Sequence, residues 1–372
     1  MKIIIYSLLA CTIILTSCNN DKENPSDLFS KVYTTDNLPK QIFSINSDKD
    51  TILKGKSGTI LYIYKNTFTN KGQTVKGLID LELKEALTPL QMVLGNLTTL
   101  TNGEFLQSDG MLFINASSNG EQLEIAINKT VGIILPTNKV DTLMKVFAGE
   151  EQAFSQSEND ESHELVHEDD ARIQNGINWL DPKEILNKKV IIKSDSLIPS
   201  NDIDNNERDF ARPQTDEEIN AELQFLEDMQ EQLGNRNSFS VDPNVNYIFE
   251  IKKLGWANID RLYMDPRTKE IDFITKIDNH SDFKNIYITM ITEKMFIPGY
   301  QMKNETFSFT HNDQEKPMLP VGASATIMAT AYKNDKPFFA IEKITIADKQ
   351  VVSFKLTETT IEKLKVELDK KL

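Results

Sequence analysis

From Gln41 onward, apolar and polar residues alternate at period two in short runs bounded by Gly, Asn and Asp. Residues 58–64 (GTILYIY), 75–87 (VKGLIDLELKEAL), 111–116 (MLFINA), 123–127 and 131–135 carry the pattern. Successive side chains of a strand point to opposite faces, so this alternation predicts half-buried antiparallel strands. Asn102-Gly103 and Asn119-Gly120 supply the positive-φ pairs that tight hairpins require. The alternation lapses at 89–94, where Pro89 opens a short helical turn. Strand pattern returns at 177–180 and 190–192, then at 247–254, 271–277, 286–291, 307–310, 323–332, 337–346 and 351–356.

Two stretches change to helical spacing. After Pro213, Thr215 and Glu218 form a capping-box pattern, and Ile219, Leu223, Leu226 and Leu233 lay one apolar stripe on a helix ended by Gly234. Near residue 360, Thr360 precedes Ile361, Leu364 and Leu368, which predicts a short capped amphipathic helix. Polar tracts separate these regions. Residues 150–170 hold nine acids and no Lys or Arg, and 200–209 is again acidic and asparagine-rich. Like charges in a block repel and keep the segment solvated. The expected fold is mainly β: two β-sandwich-like domains joined by acidic linkers and an amphipathic helix, with a short C-terminal helix. The expected limits are 38–199 for an N-terminal β-domain with an acidic loop at 150–175, 200–235 for linker and helix, and 236–372 for a C-terminal β-domain.

The first residues read differently. Lys2 is followed by an apolar run from 3 to 15, then Leu15-Thr16-Ser17-Cys18 and an abrupt switch to Asn19-Asn20-Asp21-Lys22-Glu23. The run is too short for a stable membrane span, and a small residue before cysteine is what lipoprotein processing requires. Residues 1–17 are therefore expected to be a lipoprotein signal peptide and Cys18 the lipidated residue, carrying a diacylglycerol and a palmitate-like acyl chain. Each buried methylene contributes roughly 0.8 kcal/mol, so several chains anchor where one is marginal. Residues 18–37, poor in apolar side chains, form a flexible tether. The expected location is the outer membrane, lipid-anchored on its periplasmic or cell-surface face. Of the two cysteines, Cys11 lies in the signal and Cys18 is acylated, so no disulfide is expected.

The formal net charge of −15 argues against nucleic-acid binding, which needs clustered Lys and Arg. One catalytic pattern stands in the chain. His163-Glu164-Leu165-Val166-His167 matches HExxH, in which His163 and His167 bind zinc and Glu164 serves as general base. Its setting in an acidic tract with only two apolar neighbours, and with no third ligand in sequence, opposes that use. No G-x-S-x-G elbow or Gly-rich phosphate loop occurs. No cofactor and no enzyme activity is expected.

The stretch Leu254-Gly255-Trp256-Ala257-Asn258-Ile259-Asp260-Arg261-Leu262-Tyr263 is the most distinctive. Gly255 permits a positive φ, Trp256 offers a large apolar face, and Asp260 with Arg261 suggests a local ion pair. It resembles the G-W-x-N-x-D-R-[FL]-Y signature of uncharacterised Bacteroidota-type outer-membrane lipoproteins. Lys49-Asp50-Thr51, Gly58-Thr59, 77–85 (GLIDLELKE), Phe147-Ala148-Gly149, Trp179 and Leu319-Pro320-Val321-Gly322 fit the same pattern. The resemblance implies an exported, lipid-anchored, β-rich protein and brings no activity with it. The expected role is a non-catalytic binding or assembly module of the envelope, held to the membrane by its lipid, with an envelope protein or a glycan as partner. Trp256 and Trp179 are the binding candidates for a glycan-binding alternative, and the HELVH segment is the candidate for a zinc-dependent hydrolase.

Overall fold

The computed structural model describes residues 32–101, 104–151, 177–180, 245–283, 286–292, 295–302, 305–309, 316–334 and 336–372. Cys18, the HELVH segment, most of the acidic loop, residues 190–192, the Asn102-Gly103 pair and the helix after Pro213 lie outside them. The fold is mainly β, as the alternation requires.

The principal strands of the first body are β1 (Gln41–Asn46), β2 (Thr51–Lys54), β3 (Ile60–Ile63), β4 (Leu78–Ala86), β5 (Glu104–Ser118), β6 (Val131–Pro136), β7 (Lys145–Glu151), β8 (Ile177–Leu180), β9 (Asn246–Ile251) and β10 (Gly255–Leu262). One sheet runs in the order β1-β4-β5-β10-β7-β8, and the facing sheet in the order β9-β6-β3-β2. Their inner faces enclose a core that includes Leu61, Leu83, Ile114, Ile133, Phe249 and Ile259. The hairpin predicted at Asn119-Gly120 forms with both residues at positive φ. The helical turn predicted at 89–94 is α1 (Pro89–Leu94), capped by Thr88, whose hydroxyl accepts from the backbone N–H of Gln91.

The structure moves one expected boundary. Residues 246–262 fall by position in the expected C-terminal domain, yet β9 pairs with β6 and β10 lies between β5 and β7. Period-two alternation shows that a segment is a strand but not which sheet it joins.

The second body contains β11 (Asp272–Ile277), β12 (Ile286–Ile291), β13 (Phe296–Gln301), β14 (Thr306–Ser308), β15 (Ser324–Lys333), β16 (Lys336–Thr345), β17 (Lys349–Phe354) and β18 (Thr357–Glu358). They form one eight-stranded sheet in the order β17-β11-β14-β13-β12-β15-β16-β18, with a parallel pair between β11 and β17. Its core includes Phe273, Ile288, Ile297, Phe307 and Ile327. The predicted last helix is α2 (Ile361–Lys371), with Thr360 as N-cap and Leu364 and Leu368 buried.

A third apolar cluster joins the bodies. Leu106, Met111, Trp179 and Trp256 from the first meet Tyr287, Ile291, Phe296 and Met328 from the second, with Leu364 and Leu368 of α2. Strands β10 and β15 are therefore buried on both faces. Thr99 Oγ1 accepts from the backbone N–H of Phe296 at 2.9 Å, crossing the seam. The tether expected over 18–37 does not hold for its last residues: Val32 and Tyr33 are buried in this cluster with Leu38, Thr35–Asn37 form a 3-10 turn, and the Tyr33 hydroxyl shares a 2.7 Å hydrogen bond with Thr330.

Candidate functional site

Strand β10 carries the distinctive sequence and explains most of its residues through packing. Gly255 adopts φ +126 at its start. Trp256 packs on Phe113 with ring centroids 5.2 Å apart, and Trp179 donates its indole N–H to the Thr98 carbonyl at 2.7 Å. Gly149 separates the two indoles. A Cβ there would fall 2.6 Å from Trp256 Cβ and 2.8 Å from Trp179 Cζ3. The relative exposures of Trp179 and Trp256 are 0% and 5%, so neither forms the exposed aromatic platform considered for glycan binding. Large aromatics at this position fill the seam instead.

Past Trp256, the same face turns polar while remaining sealed. Ser108 Oγ donates to Asn258 Oδ1 at 2.8 Å, and Asn258 Nδ2 donates to Asp260 Oδ2 at 2.5 Å. Asp260 is fully buried and its Oδ1 has no partner. Burial pushes its carboxyl well above the usual carboxylate range, against the opposing hydrogen bond from Asn258.

Asp260 and Arg261 do not form the predicted ion pair. Neighbours along a strand project to opposite faces, and the register shifts between Ile259 and Asp260 opposite β5. Arg261 instead places Nε 3.1 Å from Asp141 Oδ2 and donates Nη2–H to Gln107 Oε1 at 3.0 Å. Beside it, the Tyr247 hydroxyl donates to Asp109 Oδ2 and accepts from the Asp141 backbone N–H at 2.9 Å. Burial, then the Asp109 carboxylate, raises the Tyr247 phenol above its ordinary value.

Gln107, Asp109 and Arg261 face a cleft of 1210 Å³ between the two bodies. Pro136, Lys139 and Met92 extend the first body's side. The opposite wall comes from Asp265, Arg267, the 322–326 segment leading into β15, Lys343 and Lys371. Arg267 Nη2 lies 2.6 Å from Asp265 Oδ2, and its hydrogen bonds lower the Asp265 carboxyl to about 2. Gly322, at φ +86, turns the chain at this wall. The sequence held no signal for the cleft, because its walls come from segments distant in the chain that share no periodicity.

Among the described residues, no group of three or more His, Cys, Asp or Glu side chains is arranged to hold a metal ion. His163, Glu164, His167 and Cys18 lie outside those residues. Among the described residues, no helix is long and apolar enough to cross a membrane. Comparison of the chain with protein-family models, with curated proteins and with solved structures finds no match.

Proposed function

We propose that this chain is a lipid-anchored protein of the outer membrane, tethered through Cys18, that acts as a non-catalytic binding or assembly module. The observation that supports this reading best is the state of the charged groups around the cleft. Arg261 is committed to Asp141 and Gln107, Arg267 to Asp265, and Asp109 to the Tyr247 hydroxyl. The one described carboxyl raised far above its ordinary value, that of Asp260, is sealed from the cleft. A general acid or base needs a titratable group within reach of substrate. Groups already held in ion pairs and hydrogen bonds suit recognition of a surface better than proton transfer.

Crosslinking of the full-length lipoprotein in its membrane, followed by capture, tests this reading. Cys18→Ser serves as the unanchored control. The expected result is a stoichiometric envelope partner recovered with the anchored form alone. Recovery of none at equal expression, or of the same partner with both forms, overturns the anchored assembly role.

A further inference from the structure

We infer that the cleft between the two bodies is a ligand site for an anionic, hydroxyl-rich molecule of oligosaccharide size. The inference rests on the binding-module reading above and specifies its ligand.

Charge is the first argument. The whole chain has 56 acidic residues against 41 Lys and Arg. The cleft reverses that balance, with Lys139, Arg261, Arg267, Lys343 and Lys371 facing Asp109 and Asp265. Counting Asp141, which pairs with Arg261, the cations still exceed the carboxylates. Lys139 and Lys343 are exposed and form no ion pair among the described residues. They stand on opposite bodies, so an anion reaching both spans the cleft. A concave patch whose net charge is opposite to that of the whole protein concentrates oppositely charged ligands.

Hydrogen-bonding capacity is the second. Arg261 and Arg267 are each pinned by a carboxylate, which fixes their remaining N–H groups in direction. Pre-oriented guanidinium–carboxylate pairs present donors and acceptors side by side, the complement of a sugar's neighbouring hydroxyls. Ser324, Thr326 and Asn138 add short polar groups to the walls.

Size is the third. Pockets for small molecules occupy about 300–1,000 Å³. At 1210 Å³ this cleft exceeds that range and accommodates an extended ligand of several rings. The anionic group has two possible sources, a uronic-acid carboxylate or a phosphate on a glycan, and the walls recognise the chemistry common to both.

Full-length protein in detergent micelles would be titrated calorimetrically at low salt with oligogalacturonate, with inorganic phosphate, and with a neutral cello-oligosaccharide of matched length. Saturable one-to-one binding of oligogalacturonate or phosphate is expected, weakened by added salt and about tenfold or more weaker in Lys139→Glu/Lys343→Glu. Preference for oligogalacturonate identifies a carboxylated sugar, whereas tight phosphate binding that displaces it identifies a phosphorylated one. Both lysines are exposed, and an unchanged thermal midpoint confirms that the double variant is folded. Failure of both anionic probes to bind, equal binding of the neutral sugar, or undiminished binding by the double variant overturns the inference. Capture of an envelope partner by the parent protein, together with no binding of either anionic probe to that same protein, would sink this inference while leaving the assembly reading intact.

Discussion

Two carboxylates of the first body are buried to nearly the same degree and live in opposite circumstances. Glu85, at the end of β4, accepts from Gln41 Nε2 at 2.8 Å, from the Ser57 N–H at 2.9 Å and from the Thr59 N–H at 3.2 Å. The turn at 55–58 closes around it, and a Cβ at Gly55 would lie 2.8 Å from its carboxyl atoms. Asp260, in the seam, has one short bond to Asn258 and an oxygen with no partner. A buried charge is tolerated when donors replace the lost water and is costly otherwise. Glu85 therefore locks a turn, whereas Asp260 opposes the packing around it unless it carries a proton.

Removing the donors' acceptor gives the largest expected effect. Glu85→Ala leaves two backbone N–H groups and an amide unsatisfied and is expected to cost about 3 kcal/mol or more, measured by the shift in urea midpoint. Glu85→Gln keeps the shape but turns an N–H toward donors, for a loss of about 1–2 kcal/mol. If the two variants prove equally mild, Glu85 does not lock the turn.

Asp260→Asn has the opposite sign. The carboxyl of Asp260 is raised in the fold above its unfolded value of 3.8. Its contribution to stability is thus fully present below that value and is lost as pH rises toward the folded value. The neutral amide removes this slope, so the variant is expected to gain ~1 kcal/mol at pH 7 relative to the parent. The gain should shrink toward zero as pH falls to 4. Parallel stability curves for parent and variant across that range would show that Asp260 is not strained.

The smallest effect belongs to a half-buried carboxylate five residues further along, whose partner Arg267 is exposed. Asp265 is lowered to about 2 by Arg267, so its stabilisation is present above 3.8 and lost as pH falls through about 2. Solvent screens the pair, and Asp265→Asn should shift stability by less than ~0.5 kcal/mol at pH 7. A larger loss in thermal scans would mean that the cleft wall depends on this pair.

The β character of the chain was legible because burial on one face leaves a period-two trace, as in Leu78–Ala86 and Asp272–Ile277. The capped turn at Pro89–Leu94 was legible from local chemistry alone. Phe296–Gln301 escaped notice because Pro298 and Gly299 read as breakers. The strand tolerates the proline where it pairs with Thr289 on one side, and Gly299 lets Ile288 approach to within 2.4 Å of a hypothetical Cβ. Trp256 was legible as a buried aromatic of a core motif, with a sugar platform as the alternative; what the sequence did not show is that Trp256 and Trp179 together fill the seam between the bodies. Arg261 was paired with its neighbour in sequence, and its true partners, Asp141 and Gln107, are set by tertiary placement.

The burial of Val32, Tyr33 and Leu38 in the joint has a mechanical consequence. Force applied at these residues acts where they are wedged between the bodies, beside Asn37, which Lys365 Nζ holds at 2.6 Å. Tension is therefore delivered to the joint, not to an outer strand that would unzip one hydrogen bond at a time. Load applied there is borne by both bodies together, because the apolar cluster around these residues takes side chains from each.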